Sequence, residues 1–233
     1  GDILECALTA GLCSVGAKVI SAGVIPTPAI AYLVRKCGFD AGVMISASHN
    51  PFEHNGIKFF SGEGYKLKDE TENRIESIII DKAEEVERAA YGDIGHREED
   101  TSLVDEYIKF AMSTTDVRFD GIKIAIDCAN GSSSVTARRA LEGLGAEVYV
   151  TCNKPDGTNI NKDCGSTHIE NLSEFVKKTG ADVGLAFDGD ADRVLAVDEN
   201  GVLVDGDKIM AICALDMRSR GKLEDNTVCD RYE

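Results

Sequence analysis

The chain has 233 residues, of which 43% are hydrophobic, and this supports one large domain or two ordinary ones with sizeable cores. Its formal net charge of −16 argues against nucleic acid or an anionic membrane as a partner, because both carry charge of the same sign. No apolar stretch is long enough to span a bilayer and no secretory leader is recognised, so we expect a soluble, cytoplasmic protein.

Hydrophobic periodicity predicts alternating helices and strands along the chain. In the first hundred residues the predicted helices are 3–15, 28–37 and one beginning near Lys68, and the predicted strands are 18–22, 41–45 and 56–60. In the second hundred the predicted helices are 101–112, 132–144 and one reaching Thr179, and the predicted strands are 123–127, 147–151, 182–187 and 194–198. Thr167 and Glu170 have the spacing of a capping box at the start of the helix that reaches Thr179. A helix over 206–219 and a short strand over 226–229 complete the pattern.

Repeated strand and helix units with buried strands predict an α/β fold, with consecutive three-layer α/β/α domains and mixed, mainly parallel sheets. We divide the chain into a first domain over residues 1–103, a second over 104–203 and the start of a third over 204–233. The third unit is too short to bury a core by itself, and Gly1 leads directly into a helix with no preceding strand. We therefore expect a chain that is truncated at both ends.

Eight cysteines are scattered along the chain without a C-x-x-C pair. Several of them lie in apolar strand or helix patterns, which favours reduced, buried thiols. Because closely spaced ligand pairs are absent, we do not expect a zinc site.

Three aspartates follow the buried strand 182–187 and so lie at the carboxyl end of a strand, where α/β sheets bind ligands. Asp188, Asp190 and Asp192 would repel one another unless a cation neutralised them, and hard oxygen ligands in a tight loop favour Mg²⁺ or Ca²⁺. The plainer interpretation is a solvated acidic turn. A calcium EF-hand is excluded because Arg193 stands where that loop requires glycine. A haloacid-dehalogenase-like phosphatase with Asp188 as its nucleophile remains a weaker alternative.

A polar cluster ends the predicted strand 41–45. Ser48 either caps a turn or acts as a nucleophile. His49, Asn50 and Lys58 favour the second interpretation because they add donors and a proton carrier. Lys58 could serve in proton transfer only if burial or a nearby metal lowered its pKa; otherwise it is a strand lysine reaching solvent. Arg193 either pairs with a neighbouring aspartate or clamps a phosphate. No G-x-S-x-G, Walker A or G-x-G-x-x-G motif is present.

Three separated motifs give the chain a resemblance to the α-D-phosphohexomutases: Ser-Ala-Ser-His-Asn-Pro at 46–51, Asn-Gly-Ile-Lys at 55–58 and Asp-Gly-Asp-Ala-Asp-Arg at 188–193. The segments 155–161 and 164–168 are similar to the branch of this family that acts on glucosamine phosphates. The resemblance implies that Ser48 carries the transferable phosphoryl group and that its phosphate joins Asp188, Asp190 and Asp192 around one Mg²⁺. It implies that Lys58 is the general acid and base, and that His49 and Arg193 bind phosphate and order the loop.

The activity implied by this resemblance is the interconversion of glucosamine 6-phosphate and glucosamine 1-phosphate through a bisphosphosugar, which supplies cell-wall precursors. A hexosamine or hexose 1,6-bisphosphate would activate Ser48, the partner would be a phosphosugar, and a homodimer is left open. A phosphomannomutase or phosphoglucomutase of the same family, and a non-catalytic metal-binding fragment, remain as alternatives. The family has four domains around a cleft, so we expect this chain alone not to complete full turnover.

Overall fold

The computed structural model describes residues 1–81 and 86–227. Up to residue 100 the elements are α1 Asp2–Ser14, β1 Val19–Ser21, α2 Thr27–Cys37, β2 Ala41–Ser46, β3 Gly56–Ser61, α3 Asp69–Asp81 and β4 Arg97–Glu99. They continue with α4 Ser102–Ser113, β5 Lys123–Asp127, α5 Ala137–Gly143, β6 Glu147–Thr151, α6 Ile169–Thr179, β7 Val183–Phe187, β8 Val194–Asp198, β9 Leu203–Val204 and α7 Gly206–Ser219. None of the described helices has both the length and the apolar character needed to cross a membrane.

The strands form mixed sheets, and this confirms the expected α/β class. Parallel pairs join β1 to β4, β5 to β6 and β5 to β7. Antiparallel pairs join β2 to β3, β7 to β8 and β8 to β9. The largest sheet has the order β6-β5-β7-β8-β9, so β5 and β7 lie in its interior and their carboxyl ends meet at one edge.

Helix α6 closes one face of the five-stranded sheet. Its fully buried Leu172 and Val176 pack against Ala125 of β5, Ala186 of β7 and Val197 of β8. The helix ends at Gly180, whose φ of 64° is the left-handed conformation that glycine adopts without strain. This packing holds the end of β7 in a fixed position, and the aspartate loop begins there.

Several local predictions differ from the structure. The helix expected over 132–144 is interrupted: Ser132–Val135 form a 3₁₀ turn and α5 begins only at Ala137. The hydroxyls of Ser132 and Ser133 donate to the carbonyl oxygens of Gly189 and Cys128, so these side chains bond to backbone outside a helix.

The capping box is also wrong, because α6 begins after His168 and no side-chain hydrogen bond caps its first turn. Strands β4 and β9 lie in segments for which no strand was predicted. Residues 228 and 229 of the strand expected over 226–229 lie outside the described residues.

Candidate active site

The Ser48 loop begins where β2 ends, and Ser48 has a φ of 54°, a left-handed conformation that is unusual for a residue other than glycine. Three hydrogen bonds hold it there. The Ser48 N–H donates to Oγ of Ser46 at 2.9 Å, and the Ser48 carbonyl accepts from Nδ2 of Asn161 at 2.7 Å and from the Gly189 N–H at 3.2 Å. Such conformations persist where the surroundings determine them, and they concentrate at functional sites.

The aspartate loop begins directly after β7. Asp188 and Asp190 are fully buried and Asp192 is exposed, and one carboxylate oxygen from each lies within 4.8 Å of the others. Oδ1 of Asp188 accepts the Arg193 N–H at 3.2 Å, whereas its buried Oδ2 has no hydrogen-bond partner among the described residues. Burial, followed by the charges of Asp190 and Asp192, raises the pKa of Asp188 to about 7. A buried carboxylate oxygen without a donor, beside two further carboxylates, fits a cation ligand, so this group could hold a metal ion.

Asp190 connects the aspartate loop to three other parts of the chain. Its Oδ1 accepts a hydrogen bond from Oγ of Ser48 at 3.2 Å. Its Oδ2 accepts two hydrogen bonds, from Nζ of Lys58 at 2.6 Å and from Oγ1 of Thr27 at 2.9 Å. The Thr27 N–H also donates to the Asp190 carbonyl oxygen at 2.9 Å. One buried carboxylate therefore joins the serine, the lysine and the start of α2.

Lys58 lies on β3, opposite Met44 of β2, and its Nζ is also 3.5 Å from Oδ2 of Asp192. Burial is the largest influence on the pKa of Lys58 and lowers it, but the hydrogen bonds and charges of Asp190 and Asp192 together outweigh burial and raise the pKa above its ordinary value. Burial alone therefore does not give the lowered pKa that the sequence interpretation required. A lowered pKa would need these two carboxylates to be neutralised.

The two remaining predicted residues lie at the surface. His49 is exposed and lines a cleft of about 680 Å³ between the segment after Ser48 and the segment that carries Ile160 and His168. The Arg193 side chain is 60% exposed, and its Nε lies 4.0 Å from Oδ1 of Asp192, while its N–H is bound to Asp188. The structure thus brings Ser48, Lys58 and the aspartates together, and leaves the side chains of His49 and Arg193 open to solvent.

Three residues that hold the site were not predicted to do so. Thr27 stands between two prolines at the start of α2, and a small polar residue at such a break is a signal that could have been used. Asn161 donates from Nδ2 to the carbonyl oxygens of both Ser48 and Asn50, at 2.7 and 2.9 Å. Gly131 is required by a close approach that no sequence pattern reveals.

Backbone segments pass very close to one another at Gly131 and Gly189. A Cβ on Gly131 would lie 2.3 Å from the Gly189 carbonyl oxygen, and a Cβ on Gly189 would lie 2.5 Å from the Ser48 carbonyl oxygen. The Ser132 N–H donates to that same Gly189 oxygen at 2.8 Å. The loop after β5 therefore supports the aspartate loop, which in turn supports the Ser48 loop.

We expect Gly131→Ala to lower the free energy of unfolding by about 1–3 kcal/mol, because the added methyl group must displace backbone rather than a flexible side chain. Urea unfolding followed by circular dichroism measures this change. Gly11→Ala is the matched control: it lies within α1 with nothing within 4 Å of the added Cβ, so it should be neutral or slightly stabilising. Equal destabilisation by both substitutions would contradict the close approach.

Two family models match separate parts of the chain. A family model described as phosphoglucomutase/phosphomannomutase, alpha/beta/alpha domain I, matches residues 1–86, and the model of domain II of the same family matches residues 105–201. The chain belongs to the phosphoglucomutase/phosphomannomutase family. The boundaries expected at residues 103 and 203 remain a prediction.

The names of individual proteins that are similar to this chain also agree with this family. The chain is 59% identical over 228 residues to the phosphoglucosamine mutases of Acetivibrio thermocellus and Clostridium novyi, and each match covers 98% of this chain and 51% of the relative. A solved phosphoglucomutase/phosphomannomutase family protein from Burkholderia thailandensis superposes with a TM-score of 0.77 at 27% identity, over 94% of this chain and 48% of that one. The chain thus spans about half the length of the curated relatives that it matches.

Because Asp188 is buried, we expect the stability of the protein to depend on pH. The pKa of Asp188 is raised on folding, so the folded state binds the proton more tightly and stability falls as pH rises from about 4 to about 7. In the absence of metal, the free energy of unfolding of Asp188→Asn should therefore rise relative to that of the parent as pH increases from about 5 to about 8. The expected relative change is on the order of 2 kcal/mol. Urea unfolding in EDTA at both pH values measures the difference.

The exposed Glu199 offers a control for that measurement, because Glu199→Gln removes the same charge outside the site. Its stability relative to the parent should change little between the two pH values. A pH dependence for Glu199→Gln as large as that for Asp188→Asn would show that net charge, rather than burial of Asp188, is responsible.

Proposed function

We propose that the chain carries the phosphoryl-transfer centre of a phosphoglucosamine mutase, which interconverts glucosamine 6-phosphate and glucosamine 1-phosphate. The observation that carries this proposal is the hydrogen bond from Oγ of Ser48 to Oδ1 of Asp190, at 3.2 Å, within the same cluster as Nζ of Lys58. A hydroxyl, a lysine and buried carboxylates at a strand end are the parts that phosphoryl transfer needs. The names of the relatives at 59% identity support glucosamine as the sugar.

In this proposal Ser48 accepts a phosphoryl group from a hexosamine or hexose 1,6-bisphosphate and returns it to the sugar. Asp190 orients the Ser48 hydroxyl, and the left-handed backbone at Ser48 presents that hydroxyl to the loop. Asp188, Asp190 and Asp192, together with the phosphate on Ser48, would hold Mg²⁺. When bound, that ion would supply positive charge beside the transferring phosphoryl group.

Lys58 is the proposed proton carrier. Its Nζ contacts Asp190, the same carboxylate that the Ser48 hydroxyl contacts, so it could give a proton to, and take one from, the sugar hydroxyl. The exposed side chains of His49 and Arg193 are free to bind the phosphate groups of a phosphosugar. These roles place the proton chemistry on Lys58 and the anion binding on the two surface residues.

The 233 residues by themselves should perform only part of this cycle. Full turnover requires the sugar to be held at both ends while it turns between two transfers, and the curated relatives are about twice as long as this chain. We therefore propose that residues 1–233 accept phosphate on Ser48 without sustained conversion of glucosamine 6-phosphate. A cytoplasmic location is part of the proposal, whereas a homodimer is left open.

The test is to incubate the protein with Mg²⁺ and a hexose 1,6-bisphosphate and to map the phosphate by tandem mass spectrometry. Phosphate on Ser48, stable to hydroxylamine, is the expected result. A label lost in hydroxylamine would be an acyl phosphate on an aspartate such as Asp188 and would favour the phosphatase alternative. Assays of a longer protein that contains this chain, on glucosamine, mannose and glucose phosphates, decide between the sugars.

A further inference from the structure

A second cluster of reactive side chains lies at the carboxyl ends of β5 and β6. A carboxylate oxygen of Asp127 and the sulfur atoms of Cys152 and Cys164 all lie within 4.8 Å of one another. Asp127 and Cys164 are buried, whereas Cys152 is half-buried. Cys164 is the first residue of the segment 164–168 noted above, and Cys152 lies outside the motifs. The return of the chain through residues 153–163 brings the two thiols together.

The hydrogen bonds of this cluster disfavour a metal site. Oδ1 of Asp127 accepts the Ala129 N–H at 2.8 Å and Oδ2 accepts the Gly165 N–H at 2.9 Å, so the carboxylate already fixes two backbone segments. Nδ2 of Asn130 is a donor and lies 3.7 Å from the Cys164 sulfur. The described residues supply no fourth ligand to the group, whereas a structural zinc site takes four.

The two thiols are suited to different parts of an oxidation. Cys152 is the more exposed of the pair, so a small oxidant can reach its sulfur first. The proximity of the two thiols lowers the pKa of Cys152, and together with burial it raises the pKa of Cys164. An accessible, more acidic thiol beside a buried second thiol is the arrangement found where one cysteine is oxidised and its neighbour resolves it.

We propose that Cys152 and Cys164 form a reversible disulfide when the protein meets a peroxide. The Cys152 thiolate attacks one peroxide oxygen; the O–O bond breaks, the leaving oxygen takes up a proton, and Cys152 becomes a sulfenic acid. The Cys164 sulfur then attacks the Cys152 sulfur; the S–O bond breaks, and the leaving hydroxide combines with the Cys164 proton as water. For hydrogen peroxide, two thiols supply two electrons and two water molecules form. A dithiol reductant returns the two electrons and restores both thiols.

The disulfide would close a ring that contains Asn161. That side chain donates to the carbonyl oxygens of Ser48 and Asn50, so movement of the ring reaches the Ser48 loop. A disulfide requires its sulfur atoms to approach to about 2.05 Å, so the segments that carry them must adjust. We expect oxidation to slow phosphorylation of Ser48 several-fold, and this second step rests on the proposed function.

The test of the disulfide is a peptide map that does not depend on activity. The reduced protein is treated with hydrogen peroxide, blocked with N-ethylmaleimide and digested with trypsin without reduction. Because Lys154 precedes proline, the expected cuts leave Cys152 in peptide 140–162 and Cys164 in peptide 163–177. These two peptides should appear cross-linked, with a mass two hydrogens below their sum, and should separate after dithiothreitol treatment.

Two variants and the remaining thiols serve as controls. Cys152→Ser should abolish the cross-link, whereas Cys213→Ser, which removes an exposed thiol on α7, should retain it. The proposal is overturned if the cross-link joins Cys128 instead, if Cys152 becomes a sulfinic acid while Cys164 stays free, or if both thiols remain unmodified. Zinc that stays bound after dialysis of the parent, and is lost in Cys152→Ser, would also overturn it in favour of a metal site.

A separate arm measures the effect on Ser48. Phosphorylation of Ser48 in the reduced protein by a hexose bisphosphate tests the proposed function alone. Phosphorylation measured after peroxide treatment, and again after dithiothreitol, tests the link between the two sites. The parent should lose labelling several-fold and recover it, whereas Cys152→Ser should label equally before and after peroxide. A mapped cross-link with unchanged labelling would retain the disulfide and reject its effect on Ser48.

Discussion

Replacing Ser48 with alanine should abolish phosphoryl transfer to the protein from a hexose 1,6-bisphosphate, a loss of about 10³-fold or more, because the substitution removes the proposed nucleophile. Oγ of Ser48 is the serine hydroxyl that contacts Asp190, at 3.2 Å. Label incorporated per chain, measured by intact-protein mass spectrometry, gives the result directly.

Ser46→Ala is the matched control for Ser48→Ala. Oγ of Ser46 accepts a hydrogen bond from the Ser48 N–H at 2.9 Å, so its expected role is to position the loop. We expect Ser46→Ala to be labelled on Ser48, several-fold more slowly than the parent. Phosphate found on Ser46 of the parent, with Ser48 unmodified, would overturn the assignment of the nucleophile.

Asp190→Asn should weaken Mg²⁺ binding by at least about 10-fold, since even the outer partners of metal ligands commonly contribute that much to affinity. The substitution keeps the size of the side chain but removes one of the three charges of the group. It also leaves Nζ of Lys58 facing a neutral amide in place of the carboxylate at 2.6 Å. Isothermal titration calorimetry measures the affinity, and labelling of Ser48 in the same variant should fall with it.

The exposed Glu199, in the turn after β8, again provides a control with the same change of charge. Glu199→Gln should bind Mg²⁺ as the parent does, because exposed charges outside the site contribute little to binding in salt. Unchanged Mg²⁺ affinity in Asp190→Asn would mean that the cation is held elsewhere, and the proposed role of the aspartate loop would be withdrawn.

The aspartate loop could be predicted from sequence because its signals are local. A buried strand ends at Phe187 and three carboxylates follow at once, so strand periodicity and charge alone place Asp188 and Asp190 at a ligand-binding edge. The same reasoning put Ser48 after β2 and Lys58 on β3. Those assignments required only the two-residue repeat of a strand and the position of its end.

Other features depended on contacts that periodicity does not encode. Strand β4 consists of Arg97, Glu98 and Glu99, and such a polar segment becomes a strand only because β1 lies beside it in parallel. Ser132 and Ser133 are not part of a regular α-helix because their hydroxyls donate to the carbonyl oxygens of Gly189, which is far away in the sequence, and of Cys128, which lies in the preceding loop. The pKa of Lys58 likewise follows from the distances to two carboxylates.

The contact between Ser48 and Asp190 joins residues 142 positions apart, and this separation has a consequence for how the chain folds. Contacts between distant residues carry a large loss of chain entropy and tend to form late, after local elements have condensed. During synthesis the Ser48 loop emerges from the ribosome well before the aspartates that bind it, and at about 5–20 residues per second the delay is many seconds. Ser48 should therefore become reactive towards a phosphoryl donor only once the last strands of the large sheet have assembled. The time at which this reactivity appears would then report the final stage of folding.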